Sequence, residues 1–151
     1  MSSSDNKFAV ERFEDIVEEL KPLLALHYHE ISHYKDIELK PDFESYQKLQ
    51  NIGALICFTA RRDGQLIGYN LFFVRHNLHY MDSKQAVQDV VFIHPEFRGF
   101  GKKFFVYCDD VLKSQKVQVV YHHIKAAHNF GPMLESIGYK LVDLIYAKRL
   151  D

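Results

Sequence analysis

Apolar positions change their period several times along this chain, and each change marks a different kind of element. From Glu11 onward Phe13, Ile16, Val17, Leu20, Leu23, Leu24 and His27 recur at three- and four-residue intervals, the spacing of one helix face. Pro22 falls within this run, so the helix either kinks there or restarts with Pro22 in its first turn. Phe43, Tyr46 and Leu49 repeat the spacing more briefly after Pro41-Asp42, which predicts a second helix through Gln50. Residues 8–10 form a short strand ahead of the first helix, and residues 1–7 are polar.

The middle of the chain is extended. Residues 54–60 and 66–74 flank an Asp63-Gly64 turn and read as a hairpin. A longer connection carries His76, His79 and Tyr80 into a central strand over 86–93. A helix over 101–116 turns Phe104, Cys108, Val111 and Leu112 toward the core. The β-branched run 117–124 predicts another strand, 128–137 a short helix stopped by Gly138, and 139–148 a final strand. The order β-α-α-β-β-β-α-β-α-β describes one α/β (α+β) domain over residues 1–151. It contains no repeat, low-complexity tract or linker.

Residues 88–101, QDVVFIHPEFRGFG, organise the rest. The run 90–93 is too short and too β-branched for a helix and reads as buried strand. His94-Pro95 ends it, because proline lacks the ladder N–H and keeps its predecessor extended. Arg98, Gly99 and Gly101 follow, then Lys102, Lys103 and the helix. Strand, glycine loop and helix together place free backbone N–H groups at a helix N-terminus, which suits a phosphate. The stretch is not a P-loop, since GxxxxGK[ST] is absent, and GxGxxG fails at Phe104. The other reading is an ordinary strand-to-helix turn with solvated lysines.

Composition narrows the setting. Of 151 residues, 47% are hydrophobic and 26% charged, which fits a soluble globular domain with a real core. A net charge of −1 provides no bulk positive field and argues against a dedicated nucleic-acid binder. No apolar run approaches the ~18 residues of a membrane span, and MSSSDNK lacks a secretory apolar region. Cys57 and Cys108 are isolated in apolar segments and read as buried thiols of a reducing compartment, so a cytoplasmic location is expected.

The glycine loop resembles the acetyl-CoA pyrophosphate loop of the GNAT superfamily of N-acetyltransferases, whose signature is [QR]xxGx[GA]. Arg98 and Gly101 match it, while Lys103 stands where the family has a small residue. HPEFRG, residues 94–99, is similar to the family's approach to the loop. GQLIGYNLFF, 64–73, resembles its second hairpin, and MLESIGYKLV, 133–142, its LYExxGF close. The resemblance covers nearly the whole chain. It implies the GNAT fold: a mixed, mostly antiparallel sheet, splayed where the central strand and residues 117–124 part, with helices on both faces. It also implies acetyl-CoA in that split, as acyl donor. The pyrophosphate would lie on Arg98, Gly99, Phe100, Gly101, Lys102 and Lys103, and the pantetheine arm along Val91, Phe92 and Ile93. Asn129 would add a polar contact near the last helix. Small size and a histidine-rich tail also resemble members encoded by bacteriophages.

Acetyl transfer to an amine requires the amine without its proton. A lysine-like amine has a pKa near ~10.4, so only about 1 in 2,500 is neutral at pH 7, and a positioned base or a desolvating pocket is needed. Asp89 is the first candidate base, since the family commonly has an acidic residue on this strand; the other reading is a structural carboxylate. The tyrosine with which the family often protonates the thiolate falls at Leu134. Tyr121 is the candidate substitute, with His122 and His128 beside it, and each also has a structural reading. Tyr28, Glu30, His79 and Tyr80, with His27, are expected at the acceptor mouth, because in this family the first helix pair and the following connections shape it.

Nine histidines raise the question of a metal. His27-x-His29, His76-x-x-His79 and His122-His123 could each offer two ligands, but no cysteine joins them and HExxH is absent, so no metal is expected. His122 and His123 should face opposite sides of their strand. A Cβ at Gly101 is expected to clash or strain the loop, whereas Lys103 need offer only its N–H. The resemblance implies an N-acetyltransferase working by direct attack in a ternary complex. Its acceptor would be a small-molecule amine, a protein lysine or an N-terminus, with no nucleic acid or membrane, and the chain would be a monomer or homodimer. The alternative is an inactive GNAT-fold module that binds acyl-CoA or a partner protein, which Leu134 and Lys103 favour.

Overall fold

The computed structural model describes residues 5–97 and 99–151, apart from the side chains of Glu30 and Ile31. Five strands form one sheet in the order β1 (Asn6–Glu11), β2 (Leu55–Arg62), β3 (Gln65–His76), β4 (Lys84–Ile93) and β5 (Val119–Tyr121). Neighbours from β1 to β4 are antiparallel, and β5 runs parallel to β4. Helices α1 (Phe13–Ile31) and α2 (Phe43–Asn51) pack on one face, α3 (Gly101–Ser114) on the other, and α4 (Gly131–Ser136) follows β5. The sheet is mixed, mostly antiparallel and covered by helices on both faces, as the sequence led us to expect.

Both faces are apolar because successive strand side chains point to opposite sides. Phe13, Ile16 and Leu20 of α1 pack on Leu55, Cys57, Tyr69, Leu71 and Phe92. On the other face Phe104, Cys108 and Leu112 of α3 meet Phe58, Ala60, Phe72 and Ala86. Each such large side chain contributes about 1.5–3 kcal/mol when fully buried. This packing carries α1 through Pro22, which lies inside one continuous helix rather than restarting it. Asp42 caps α2, its carboxylate accepting from the Ser45 N–H at 3.0 Å.

Three departures from the sequence expectation bear on function. The β3–β4 register skips a residue: Leu71 faces Val90 and Phe72 faces Gln88, so Asp89 is the extra residue of a bulge. β5 ladders with Gln85, Ala86 and Val87 only and then departs from β4, so the strand is shorter than 117–124. The segment predicted as one helix over 128–137 divides into a 3-10 turn, Ala126–His128, and α4, with Pro132 setting the start of the latter.

The final strand expected over 139–148 is not formed. The residues carry no backbone ladder, and Leu141, Val142, Leu144, Ile145 and Tyr146 are exposed. β-branched and aromatic side chains favour a strand only where neighbours exist to pack against. Among the described residues no strand pairs with this segment.

Candidate functional site

Where β5 leaves β4, two cavities open side by side. One, of about 330 Å³, is lined by Leu24, His27 and Tyr28 of α1, by Asp89, and by His123 and Lys125 beyond β5. The other, of about 380 Å³, is lined by Val91, Phe92, Ile93, Gly99, Gly101 and Lys102. His27, Val91, His128 and Phe130 line both, so the two form one continuous split.

The second cavity ends on the N-terminus of α3. The Phe100 side chain does not cap that helix but lies in the core, its ring 5.8 Å from Phe8 and 6.2 Å from Phe104. Among the described residues the opening amides of Gly101, Lys102 and Lys103 meet no acceptor, and they keep the donors and positive dipole end of a helix start. The strained glycine of the loop is Gly99, with φ of +123°, a conformation that L residues avoid. Gly101 differs from expectation. Its φ is not positive, and an added Cβ would lie 3.4 Å from Ile93 Cδ1, an ordinary contact. Lys102 and Lys103 are both exposed. Arg98 lies outside the described residues. The Asn129 carboxamide oxygen accepts from the Gly131 N–H at 2.8 Å, holding the start of α4, and Asn129 lines neither cavity.

The first cavity is built around Asp89. Its carboxylate accepts a hydrogen bond from the Tyr46 hydroxyl of α2. Burial pushes the Asp89 carboxyl above its ordinary pKa, and the Tyr46 bond works against that rise. Burial also raises the Tyr46 hydroxyl, with Asp89 adding to the effect, so Tyr46 keeps its proton and stays a donor. Tyr46 is fixed by stacking on Phe13, ring centroids 5.4 Å apart. His27 occupies the junction of the cavities, its Nδ1 3.1 Å from the Tyr69 hydroxyl and its ring 5.0 Å from that of Phe92.

The remaining candidates are placed as follows. Tyr28 lines the first cavity, and its hydroxyl lies 2.7 Å from the Lys35 carbonyl and 2.6 Å from that of Ile37, pinning the connection after α1. The Glu30 side chain lies outside the described residues. His79 and Tyr80 sit in the turn between β3 and β4 and line neither cavity. Tyr121 is half-buried opposite Val87 in β5 and also lines neither. His122 and His123 do face opposite ways. His123 lines the first cavity, whereas His122 is turned to the α3 face between Phe72, Phe105 and Tyr139. Leu134 is a buried core residue.

Sequence reasoning passed over Tyr46, which reads simply as an apolar-face residue of a short helix. The one available signal was its hydroxyl on a buried face, since a buried hydroxyl needs a partner. Among the described residues no group of three or more His, Cys, Asp and Glu side chains is disposed to hold a metal ion. No described helix is long and apolar enough to cross a membrane.

No protein-family model and no curated protein sequence matches this chain. Solved structures do. A ribosomal-protein-alanine N-acetyltransferase from Brucella melitensis biovar Abortus 2308 superposes with a TM-score of 0.72 at 21% identity, over 97% of this chain and 100% of that one. An aminoglycoside acetyltransferase from an uncultured soil metagenomic sample, in complex with sisomicin, gives 0.69 at 16% identity, over 95% and 97%. A predicted acetyltransferase from Clostridium acetobutylicum, with acetyl-CoA, gives 0.71 at 12% identity, over 97% of each chain. The chain has the GNAT fold.

Proposed function

We propose that this GNAT-fold chain is an acetyl-CoA-dependent N-acetyltransferase acting on a primary amine. The observation that carries the reading is the continuous split, which joins the amide-rich start of α3 to a buried carboxylate at the β4 bulge. The residues fit the donor. Gly99 and Gly101 leave backbone at the wall, and the free α3 amides with Lys102 suit a diphosphate. Lys103, the next residue of α3, adds charge to the same helix start. The stretch Val91, Phe92 and Ile93, joined by Phe105 and Met133, forms an apolar channel for the pantetheine arm.

Acetyl-CoA when bound supplies an acyl carbon on a thiol leaving group: the C–N bond to the amine forms, the C–S bond breaks, and the thiolate departs. Asp89 takes the proton that the amine must lose. Burial makes it a stronger base than an exposed aspartate, because a raised pKa is a raised proton affinity. Tyr46 holds the carboxylate in place by its hydrogen bond. His27, which lines both cavities, faces the junction where donor and acceptor meet. A thiolate with an ordinary pKa of roughly 8.5 leaves without a dedicated proton donor, so Leu134 in place of a tyrosine does not bar the reaction. The acceptor amine, on a small molecule or a protein, enters the first cavity past Tyr28.

A thermal melt with CoA and with acetyl-CoA, followed by an assay of CoA release against a panel of amines and peptides, tests this. At 100 times the dissociation constant each ligand should stabilise the fold by about 2.7 kcal/mol, which is several degrees in Tm. Binding of both without CoA release from any amine would identify an acyl-CoA-binding module instead. No melting shift with either ligand would remove the reading altogether.

A further inference from the structure

The first cavity has two electrostatic poles. Among its described lining residues Asp89 is the only acid and Lys125 the only lysine or arginine. They come from different segments: Asp89 from the bulge of β4, Lys125 from the chain that leaves β5. Lys125 is extended, with φ of −74° and ψ of 135°. Alternation along an extended chain sets residues two apart on one side, so His123 and Lys125 both line the cavity while His122 turns to the α3 face. Among the described residues the Lys125 ammonium has no ion pair. His123 offers a ring N–H in either tautomer.

The rest of the wall limits what fits between the poles. Leu24, Leu39, Val90 and Phe130 make the middle apolar. A volume of about 330 Å³ is at the low end of small-molecule sites, too little for a stretch of folded protein. The carbonyl end of α1 borders the cavity at Tyr28 and Ser32 and by itself would repel an anion. Lys35 covers it, its Nζ donating to the His29 and Ser32 carbonyls, each at 3.1 Å. Ser32 Oγ is buried with no partner among the described residues. Buried hydroxyls normally have one, and an oxygen of a bound molecule would supply it.

We infer that the acceptor is a small aliphatic primary amine that carries its own anion, a carboxylate or a phosphate, with the amine at Asp89 and the anion at His123 and Lys125. This rests on the acetyltransferase reading and narrows it. A polycation fits poorly, because its second positive charge would meet Lys125 instead of a second acid. A neutral amine leaves the Lys125 pole without a counter-charge. With the anion anchored on the β5 side, the amine is held against β4, where Val91 leads into the second cavity. There the amine loses one proton to Asp89, its nitrogen bonds to the acyl carbon as the C–S bond breaks, and its second proton goes to the departing thiolate.

The test measures CoA release at saturating acetyl-CoA for amines paired to differ by one anionic group. The pairs are β-alanine with β-alaninamide and O-phosphoethanolamine with ethanolamine, and putrescine serves as the dication. In at least one pair the anionic member should have a kcat/KM about tenfold higher, the worth of a charged hydrogen bond. The pair with the larger ratio tells carboxylate from phosphate. Lys125→Gln and His123→Gln should raise KM for that anionic member and leave its neutral mate unchanged. Lys125→Glu should reverse the order and bring putrescine above the anionic amine. Lys125 does not line the second cavity, so the melting shift with CoA should match the parent's in each Lys125 variant and shows that it folds. Equal rates within both pairs, or a parent that prefers the neutral amines or putrescine, overturn the inference and leave the acetyltransferase reading standing. So does a preference that Lys125→Glu leaves unchanged. A melting shift with CoA but no release from any amine removes the enzyme reading, and the inference falls with it.

Discussion

The Tyr46 hydroxyl of α2 hydrogen-bonds the Asp89 carboxylate of β4 across 43 residues of sequence. The bond depends on two local accidents. The bulge makes Asp89 an unpaired extra residue in β4, and Asp42 caps α2 so that Tyr46 lies on the face packed toward the sheet. The pair couples a helix cap, a strand irregularity and the chemistry of the split.

Asp89→Asn should lower kcat by roughly 10²–10⁴, the usual worth of a general base, while CoA affinity stays near that of the parent. Tyr46→Phe should act differently. The Tyr46 bond holds the Asp89 pKa down, so losing it lets that pKa rise further. The acid limb of the kcat profile, where Asp89 must be ionised, should then move to higher pH. Steady-state rates across the acidic range with a saturating amine check both, and an unmoved limb in Tyr46→Phe would detach the pair from the reaction.

His122 should make the fold sensitive to mild acid. Its Nδ1 is 2.8 Å from the Gln88 carboxamide oxygen, so a neutral ring donates there and leaves Nε2 buried with no partner. Burial, with His123 nearby, pushes its pKa down from 6.5 to about 4. The unfolded chain therefore binds the proton first as pH falls. Stability from this residue is complete above pH 6.5 and is lost between 6.5 and about 4, on the order of 3 kcal/mol in all. Urea titrations through that window should show the slope, and His122→Phe should flatten it.

The two loop glycines should separate folding from binding. Gly99→Ala forces a Cβ into a left-handed conformation and should cost about 1–2 kcal/mol of stability with or without ligand. Gly101→Ala meets only an ordinary contact with Ile93, so the ligand-free Tm should hold or rise slightly. Its Cβ projects from a residue that lines the second cavity, and CoA affinity should fall. Calorimetric titration beside the melts reads both. The opposite pattern, with Gly101→Ala unstable and Gly99→Ala neutral, would return the loop's strain to Gly101.

Much of this was legible before any coordinates. Period and punctuation located the helices and the first four strands to within a few residues, since both report which face of an element is buried and where the chain must turn. The strand–glycine–helix run around Gly99 and Gly101 pointed to the α3 amides for the same local reason. The surroundings of the split were less readable. Asp89 was singled out, but its tyrosine partner was not, and His79, Tyr80 and Tyr121 lie away from both cavities.

The amino-acid sequence by itself determined the order of elements, the two apolar faces of the sheet and the amide-rich start of α3. Tertiary structure alone decided the bulge at Asp89, the shortness of β5, the meeting of two cavities at His27, and the unpaired state of residues 139–148. The division has a physical cause. Burial of one face is written in the spacing of neighbouring residues, whereas a ladder or a buried hydrogen bond also depends on what another segment presents across the gap. The segment 139–148 has every local mark of a strand, and among the described residues no strand lies across that gap.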